Sequence, residues 1–335
     1  MVLQLLGWTA ALIVGVVILV KGADFLVEGG GKTAAYFGVP AIVIGLTLVS
    51  FGTSLPELAG SLNAIFKGKQ GISVGNVIGS NIANILLVLG ASSLIKPISV
   101  DRNIIKREIP IMFGAMVLLI LFSSNILASG YVIERWEGIL LLLAFIGYIG
   151  FFIWIAYFEG EKEIIKEELE IEEEIKDEDY VQKEEYAPKI NIAKIVFGLL
   201  GIAIGAELMI DGAIFYMDEF GLKEGVVGLT IIALATSLPE LAASSMAAYR
   251  EESDISLGNV IGSNTFNILM VLGICATFVP LDFSPDLIYS MLIMVIVSII
   301  LTIFMYTGKK ISRLEGIVML AGYVLYMGYQ FLYIQ

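Results

Sequence analysis

The sequence contains no histidine and a single cysteine. The first absence excludes an imidazole proton relay and any histidine-ligated metal. The second excludes a disulfide and a cysteine metal site. Cys275 lies in an apolar run, where a thiol serves as a small packing residue. Charge is also scarce, at 16% of residues against about 25% in soluble domains. What fills the space is apolar: 58% of the 335 residues are hydrophobic and the mean hydropathy is +0.89. A soluble domain sits nearer 45–50% apolar, so the chain reads as an all-α polytopic membrane protein. The first apolar run, Val2 to Val20, lacks the basic leader of a signal peptide and is expected to be a retained first helix.

Apolar runs long enough to cross a bilayer fall near 2–20, 39–66, 72–95, 104–127 and 131–157. A second set falls near 190–214, 225–249, 255–279, 286–307 and 314–334. The two sets are copies. Thr53, Ser54, Glu57, Ser61, Asn76, Ser80 and Asn84 recur 183 residues later as Thr236, Ser237, Glu240, Ser244, Asn259, Ser263 and Asn267. Gly22-Ala23-Asp24 matches Gly205-Ala206-Glu207 at the same offset, and Trp136-Glu137-Gly138 matches Leu314-Glu315-Gly316 at 178. This is an internal duplication of a five-helix unit. An odd number of spans per copy turns the second copy upside down, which predicts ten transmembrane helices as two inverted five-helix repeats with a binding site at the midplane. The expected divisions are a first repeat over 1–157 (most strongly patterned over 39–95), an acidic loop over 158–189, and a second repeat over 190–335 (most strongly patterned over 222–279).

Glu159 to Lys189 holds 14 acidic residues and 5 lysines, most of the chain's net charge of −13. Such composition is solvated and largely unfolded, with room for some helix; the simplest reading is a linker between the halves, and the alternative is a weak calcium-collecting or regulatory segment. With the N-terminus outside, 16 of the 20 Lys and Arg fall on the cytoplasmic side. That bias predicts both termini outside and the acidic loop in the cytoplasm. The expected location is the plasma membrane, with no nucleic-acid partner. A monomer is the default expectation.

The chemistry concentrates in Thr53-Ser54-Leu55-Pro56-Glu57 and its copy, Thr236-Ser237-Leu238-Pro239-Glu240. A carboxylate within a membrane span is costly and rarely idle. A proline just before it removes a helix donor, freeing the carbonyls of Gly52 and Ala235. Thr53, Glu57 and Ser61 share a helix face at four-residue spacing, as do Asn76, Ser80 and Asn84, and the second copy repeats both stripes. Gly75 and Gly79, echoed by Gly258 and Gly262, permit close helix approach that would bring the stripes together. Ser61, Ser244, Asn76 and Asn259 suit hydrogen bonding between helices. Glu57 and Glu240 do not, because no Lys or Arg lies in these runs before their ends.

All these donors are hard oxygens, which suit calcium rather than zinc or copper. Two carboxylates neutralise one divalent cation, or hold two or three monovalent ones. Both loads together would repel in low dielectric. Exclusive occupancy of one site is the condition for antiport. Asp24, Glu28, Glu207 and Asp211 lie near helix ends and are read as interfacial. Glu137 and Glu315 lie at helix starts, where the dipole favours them.

Gly-Thr-Ser-Leu-Pro-Glu (52–57) with Gly-Asn-Val-Ile-Gly-Ser-Asn (75–81), and Ala-Thr-Ser-Leu-Pro-Glu (235–240) with Gly-Asn-Val-Ile-Gly-Ser-Asn (258–264), resemble the two α-repeats of sodium/calcium exchangers of the calcium:cation antiporter superfamily. The resemblance implies that the second, third, seventh and eighth helices surround four ion sites, past which the first and sixth slide. It implies that Glu57 and Glu240 bind calcium with backbone oxygens of Thr53 and Thr236. Ser54, Ser80, Ser237 and Ser263, with carbonyls of Ser50 and Ala233, would bind sodium, and Asn84 and Asn267 would line the middle site. The exchange implied is about three sodium ions per calcium, electrogenic, in keeping with the charge count. No cofactor is implied beyond the transported ions. Some relatives carry Asp at the place of Asn267, and potassium-dependent exchangers rely on that acid, so potassium cotransport is not expected. The motif's glycine is Ala235 in the second copy.

Two other transport readings remain. A proton/calcium antiporter keeps the fold, but such exchangers usually read Gly-Asn-Ala-x-Glu at the carboxylate, so proton coupling ranks second. A calcium-permeable channel fits less well, because inverted copies suit alternating access. An intramembrane aspartyl protease would need paired acids sharing a proton and a Gly-x-Gly-Asp motif, which is missing. The chain is expected to be a transporter and not an enzyme.

Overall fold

The computed structural model describes residues 2–36, 50–102, 104–124, 131–171, 188–251 and 253–333, and these are overwhelmingly helical. The first half runs α1 (Val2–Tyr36), α2 (Ser50–Thr53), α3 (Leu55–Phe66), α4 (Gln70–Ala83) and α5 (Gly90–Ile95). It continues through β1 (Ile98–Ser99), α6 (Ile109–Ser123), β2 (Val132–Ile133) and α7 (Arg135–Ile171). The second half runs α8 (Pro188–Phe220), α9 (Glu224–Val227), α10 (Ala233–Thr236), α11 (Leu238–Tyr249), α12 (Ser253–Phe266) and α13 (Gly273–Phe278). It closes with β3 (Leu281–Asp282), α14 (Pro285–Gly308), β4 (Lys310–Ile311) and α15 (Arg313–Tyr333). Single π-helical turns join several of these pieces, over Asn84–Leu89, Ile104–Glu108, Gly228–Ile232 and Asn267–Leu272.

Contacts between the halves come in matched pairs. α1 and α8 pack antiparallel along glycines spaced seven apart. A Cβ on Gly15 would lie 3.0 Å from the Gly205 carbonyl, and one on Gly22 would lie 2.7 Å from the Ile202 nitrogen and 2.8 Å from the Gly198 carbonyl. Adding 183 to one partner and subtracting it from the other turns the pair 15 and 205 into 198 and 22. With the later offset of 178 applied to the second partner, the short strands obey the same exchange: Ile98 faces Ile311, and Leu281 faces Ile133. So do the close approaches of Gly90 to Gly316 and of Gly138 to Gly273. A contact set that maps onto itself when the halves are exchanged marks a two-fold relation. Because α1 and α8 are antiparallel, that axis crosses the helices.

The described residues hold six helices long and apolar enough to cross a membrane unbroken, at Leu3–Gly30, Gln70–Ile95, Arg135–Trp154, Pro188–Phe220, Ser253–Phe278 and Pro285–Gly308. A seventh crossing is bent by 43°, between Glu224–Thr236 and Leu238–Tyr249. This is fewer than the ten apolar runs. Of the run 39–66, only Ser50 onward is described, and it is broken at Ser54. The run 104–127 is divided between a π turn and the 15-residue α6, and the tenth run is α15. α1 and α8 outrun their predicted bounds. Lys21 pairs with Asp24 at 3.3 Å and Lys32 with Glu28 at 3.7 Å, so the charges expected to end the first helix are met along it. The acidic insert is helical to Ile171, and 172–187 lie outside the described residues.

Candidate cation-binding site

The expected break falls at Ser54 and Ser237, two residues before each proline. Pro56 and Pro239 then sit in the first turn of α3 and α11, where a missing N–H costs nothing. Ser54 and Ser237 still accept helical bonds from Leu58 (3.2 Å) and Leu241 (3.0 Å). The carbonyl most drawn upon lies earlier, at Ala233. It accepts from the Ser237 N–H (3.1 Å), the Thr236 hydroxyl (3.4 Å) and the Ser80 hydroxyl (3.5 Å). The first-half equivalent, Ser50, opens α2, and its side chain lies outside the described residues.

Glu57 and Glu240 both have 0% exposure. The hydroxyls of Thr236 and Ser80 lie beside Glu57, and those of Thr53 and Ser263 beside Glu240. Each carboxylate is therefore served by one hydroxyl from its own half and one from the other. The closest of these approaches within hydrogen-bonding range is Ser263 to the Glu240 Oε1, at 3.5 Å. Neither carboxylate is ion-paired among the described residues, whereas other acids are. Lys67 pairs with Asp211, and Lys194 pairs with Glu28 at 2.5 Å. Asp24, Glu28 and Asp211 are ion-paired and Glu207 is exposed, but all four lie within α1 and α8 and not near the helix ends the sequence suggested.

The polar stripes meet across the halves. Asn76 donates to the Ser61 hydroxyl (2.9 Å) and the Glu57 carbonyl (3.1 Å), and its Oδ1 accepts from Thr236 (3.0 Å). Asn259 donates to Ser244 (3.0 Å) and accepts from Thr53 (3.2 Å). Ser80 and Thr236 lie 3.2 Å apart, and Thr53 and Ser263 3.4 Å apart. Asn76, Asn259, Ser61 and Ser244 are the hydrogen-bonding ties expected of them. The glycines permit the close approach expected of them, and the helix they meet belongs to the opposite half: Gly75 and Gly79 press α4 against it. A Cβ there would lie 2.7 Å from the Gly225 carbonyl and 2.5 Å from the Leu229 carbonyl.

Among the buried side-chain oxygens without a hydrogen-bond partner are both of Glu57, Oε2 of Glu240, Oδ1 of Asn84 and Asn267, and the hydroxyls of Ser54 and Ser237. These seven belong to the residue set singled out from sequence, while Asn63, Ser73, Tyr323, Tyr326 and Gln330 supply five others. Unsatisfied buried polar atoms cost about 1–3 kcal/mol each, more when charged. Seven hard oxygens collected without any facing cation therefore fit a bound hard cation. Among the described residues no three His, Cys, Asp or Glu side chains gather in one place, so the donor set is two carboxylates plus neutral oxygens.

Sequence reasoning missed two things. Asn81 and Asn264 are buried within the same cluster and contact Asn267 and Asn84. The chain also widens to a π turn beginning at Asn84 and at Asn267, a device common at functional sites. The repeated Ser-Asn at 80–81 and 263–264 was the available signal for the first. No local propensity marks the second.

Comparison with known proteins agrees with this geometry. A family model described as sodium/calcium exchanger protein matches residues 7–154 and 190–332, sparing only the acidic insert and the ends. The sodium/calcium exchanger MaX1 of Methanosarcina acetivorans is 38% identical, over 94% of this chain and 96% of its own. The inner membrane protein YrbG of Escherichia coli is 34% identical over 95% of each. A solved structure of the sodium-calcium exchanger NCX_Mj, soaked with 10 mM Na+ and zero Ca2+, superposes with a TM-score of 0.66 at 32% identity, covering 97% of this chain and 99% of that one. A multi-pass helical chain, with buried unpaired carboxylates at the seam of two matched halves, belongs to the sodium/calcium exchanger family.

Proposed function

We propose that the protein exchanges sodium for calcium by alternating access, with Glu57 and Glu240 as the shared carboxylates. The observation that carries this is the pair of fully buried glutamates with no cationic partner among the described residues, accompanied by unsatisfied oxygens from both halves. Thr53, Thr236, Ser54, Ser237, Ser80, Ser263, Asn84, Asn267 and the carbonyls of Ser50 and Ala233 complete the ligand set. One calcium balances the two carboxylates, and about three sodium ions over-balance them by one charge, so the exchange is electrogenic. Asn267 leaves the site without a third acid, and potassium takes no part.

The fold for this function is ten transmembrane helices as two inverted five-helix repeats, 1–157 and 190–335, joined by the acidic loop. The crossing two-fold relation between α1 and α8 supports the inversion. The loop contacts support the alternation of crossings. Tyr131 and Phe283, Lys69 and Glu224, and Lys223 and Asp286 meet at one end. Lys96 and Glu251, and Arg313 and the Ile95 carbonyl, meet at the other. The basic bias makes the second end cytoplasmic, with both termini outside in the plasma membrane and the chain working as a monomer.

The test is radioactive calcium uptake into sodium-loaded proteoliposomes diluted into choline or potassium medium. Uptake driven by the sodium gradient, and lost in Glu57→Gln and Glu240→Gln, is the expected result. Uptake following only a proton gradient would make the protein a proton/calcium antiporter. Flux indifferent to both gradients would make it a channel.

A further inference from the structure

An asparagine lining a cation site has a requirement that a carboxylate does not: only one end of its amide is an acceptor. Turned the wrong way, Asn84 or Asn267 would present an NH2 group to the cation. Both are fully buried, and both leave Oδ1 unpartnered while Nδ2 is engaged. Asn84 donates to the Asn264 Oδ1 at 3.1 Å, and Asn267 donates to the Asn81 Oδ1 at 3.3 Å.

The second pair of asparagines is fixed by groups that can only accept. Asn264 donates to the Asn81 main-chain carbonyl at 3.4 Å, and Asn81 donates to the Met294 sulfur at 3.4 Å. A carbonyl and a thioether offer no proton. Each anchor therefore dictates which end of Asn264 and Asn81 it meets, and the opposite end, Oδ1, faces the lining residue. We propose that Asn81 and Asn264 are positioning residues, locked by Met294 and by the Asn81 carbonyl, that hold the Asn84 and Asn267 amides with oxygen toward the transported cation. The two locks are unequal, because a thioether is a weaker acceptor than a peptide carbonyl. Asn267 is the less firmly set of the two.

This rests on the exchanger reading, and the test separates the two. Met294→Leu removes the sulfur while nearly keeping the volume. The measurement is the calcium concentration that half-maximally stabilises the purified protein against thermal unfolding. It is made in the native background and again with Asn267→Asp, whose two oxygens need no orienting. The expected result is a rise of about fivefold in the native background and a change within about twofold in the Asp background, a coupling that simple packing loss would not produce. Asn264→Leu, measured with and without Asn84→Asp, repeats the test on the other half. Equal shifts in both backgrounds, or none in the native one, would overturn the positioning role while leaving the exchanger intact. A native protein that calcium does not stabilise would overturn both.

Discussion

Asn76 shows how little slack the site has. Its amide bridges Ser61, the Glu57 main chain and Thr236, which lie on one helix of its own half, α3, and one of the other, α10. Asn76→Leu keeps the volume but strands buried partners on both sides, and should cost about 1–3 kcal/mol for each group left unsatisfied. Thermal unfolding in detergent should show a lower midpoint for this variant than for Ser61→Ala, which removes one partner only. The buried polar cluster was legible at this scale because apolar surroundings leave a polar side chain conspicuous, and because duplication repeats it. Asn81 and Asn264 escaped because they fall one step off a stripe counted at four-residue intervals. That spacing holds for a regular helix, and the π turns at Asn84 and Asn267 break it.

At the scale of elements, the apolar runs announced most helices but not where they bend or end. The interruption at Ser54 and Ser237 was expected from the prolines, yet it sits just before them, because a proline is easily accommodated in the first turn of the next helix. The lengths of α1 and α8 were not legible, since charges that would stop a bare helix are neutralised along it by pairs such as Lys21 with Asp24. Glycine positions sort by what they face. A Cβ at Gly79 would lie 2.5 Å from the Leu229 carbonyl and 2.7 Å from the Ala233 Cβ. Gly79→Ala should therefore cost about 1–3 kcal/mol by forcing backbones apart. Gly147 is an exposed helical position with open space around it. Gly147→Ala should be neutral or stabilise by up to about 1 kcal/mol. Unfolding midpoints of the two variants should move in opposite directions, or the second not at all; a large loss at Gly147 would refute this account of the packing.

For the whole molecule, the duplicated motif made the two-part plan readable, while the close partnership of α1 with α8 needed the structure. The sidedness can be tested with Cys275→Ala as a cysteine-free starting point, since Cys275 is buried and the lone cysteine. Single cysteines at Lys69 and Lys223 should react with an impermeant maleimide added outside intact cells. Those at Lys96 and Lys310 should react only after permeabilisation. The reverse pattern would turn the protein over.

The glycine seam has a mechanical meaning. Gly15, Gly22 and Gly29 on α1, and Gly198, Gly205 and Gly212 on α8, recur every seven residues, and main chain closely meets main chain at all of them but Gly212, which faces the Leu12 side chain. The next register that restores the whole seven-residue set of glycine pairings is about 10.5 Å away along the helix. Every smaller slip drives a side chain into backbone. The two helices are thus keyed together although they come from opposite halves of the chain. A displacement of one therefore carries the other. Under the proposed alternating access, the two doorways are the ends of a single lever, and a state open to both sides of the membrane would require the key to shear.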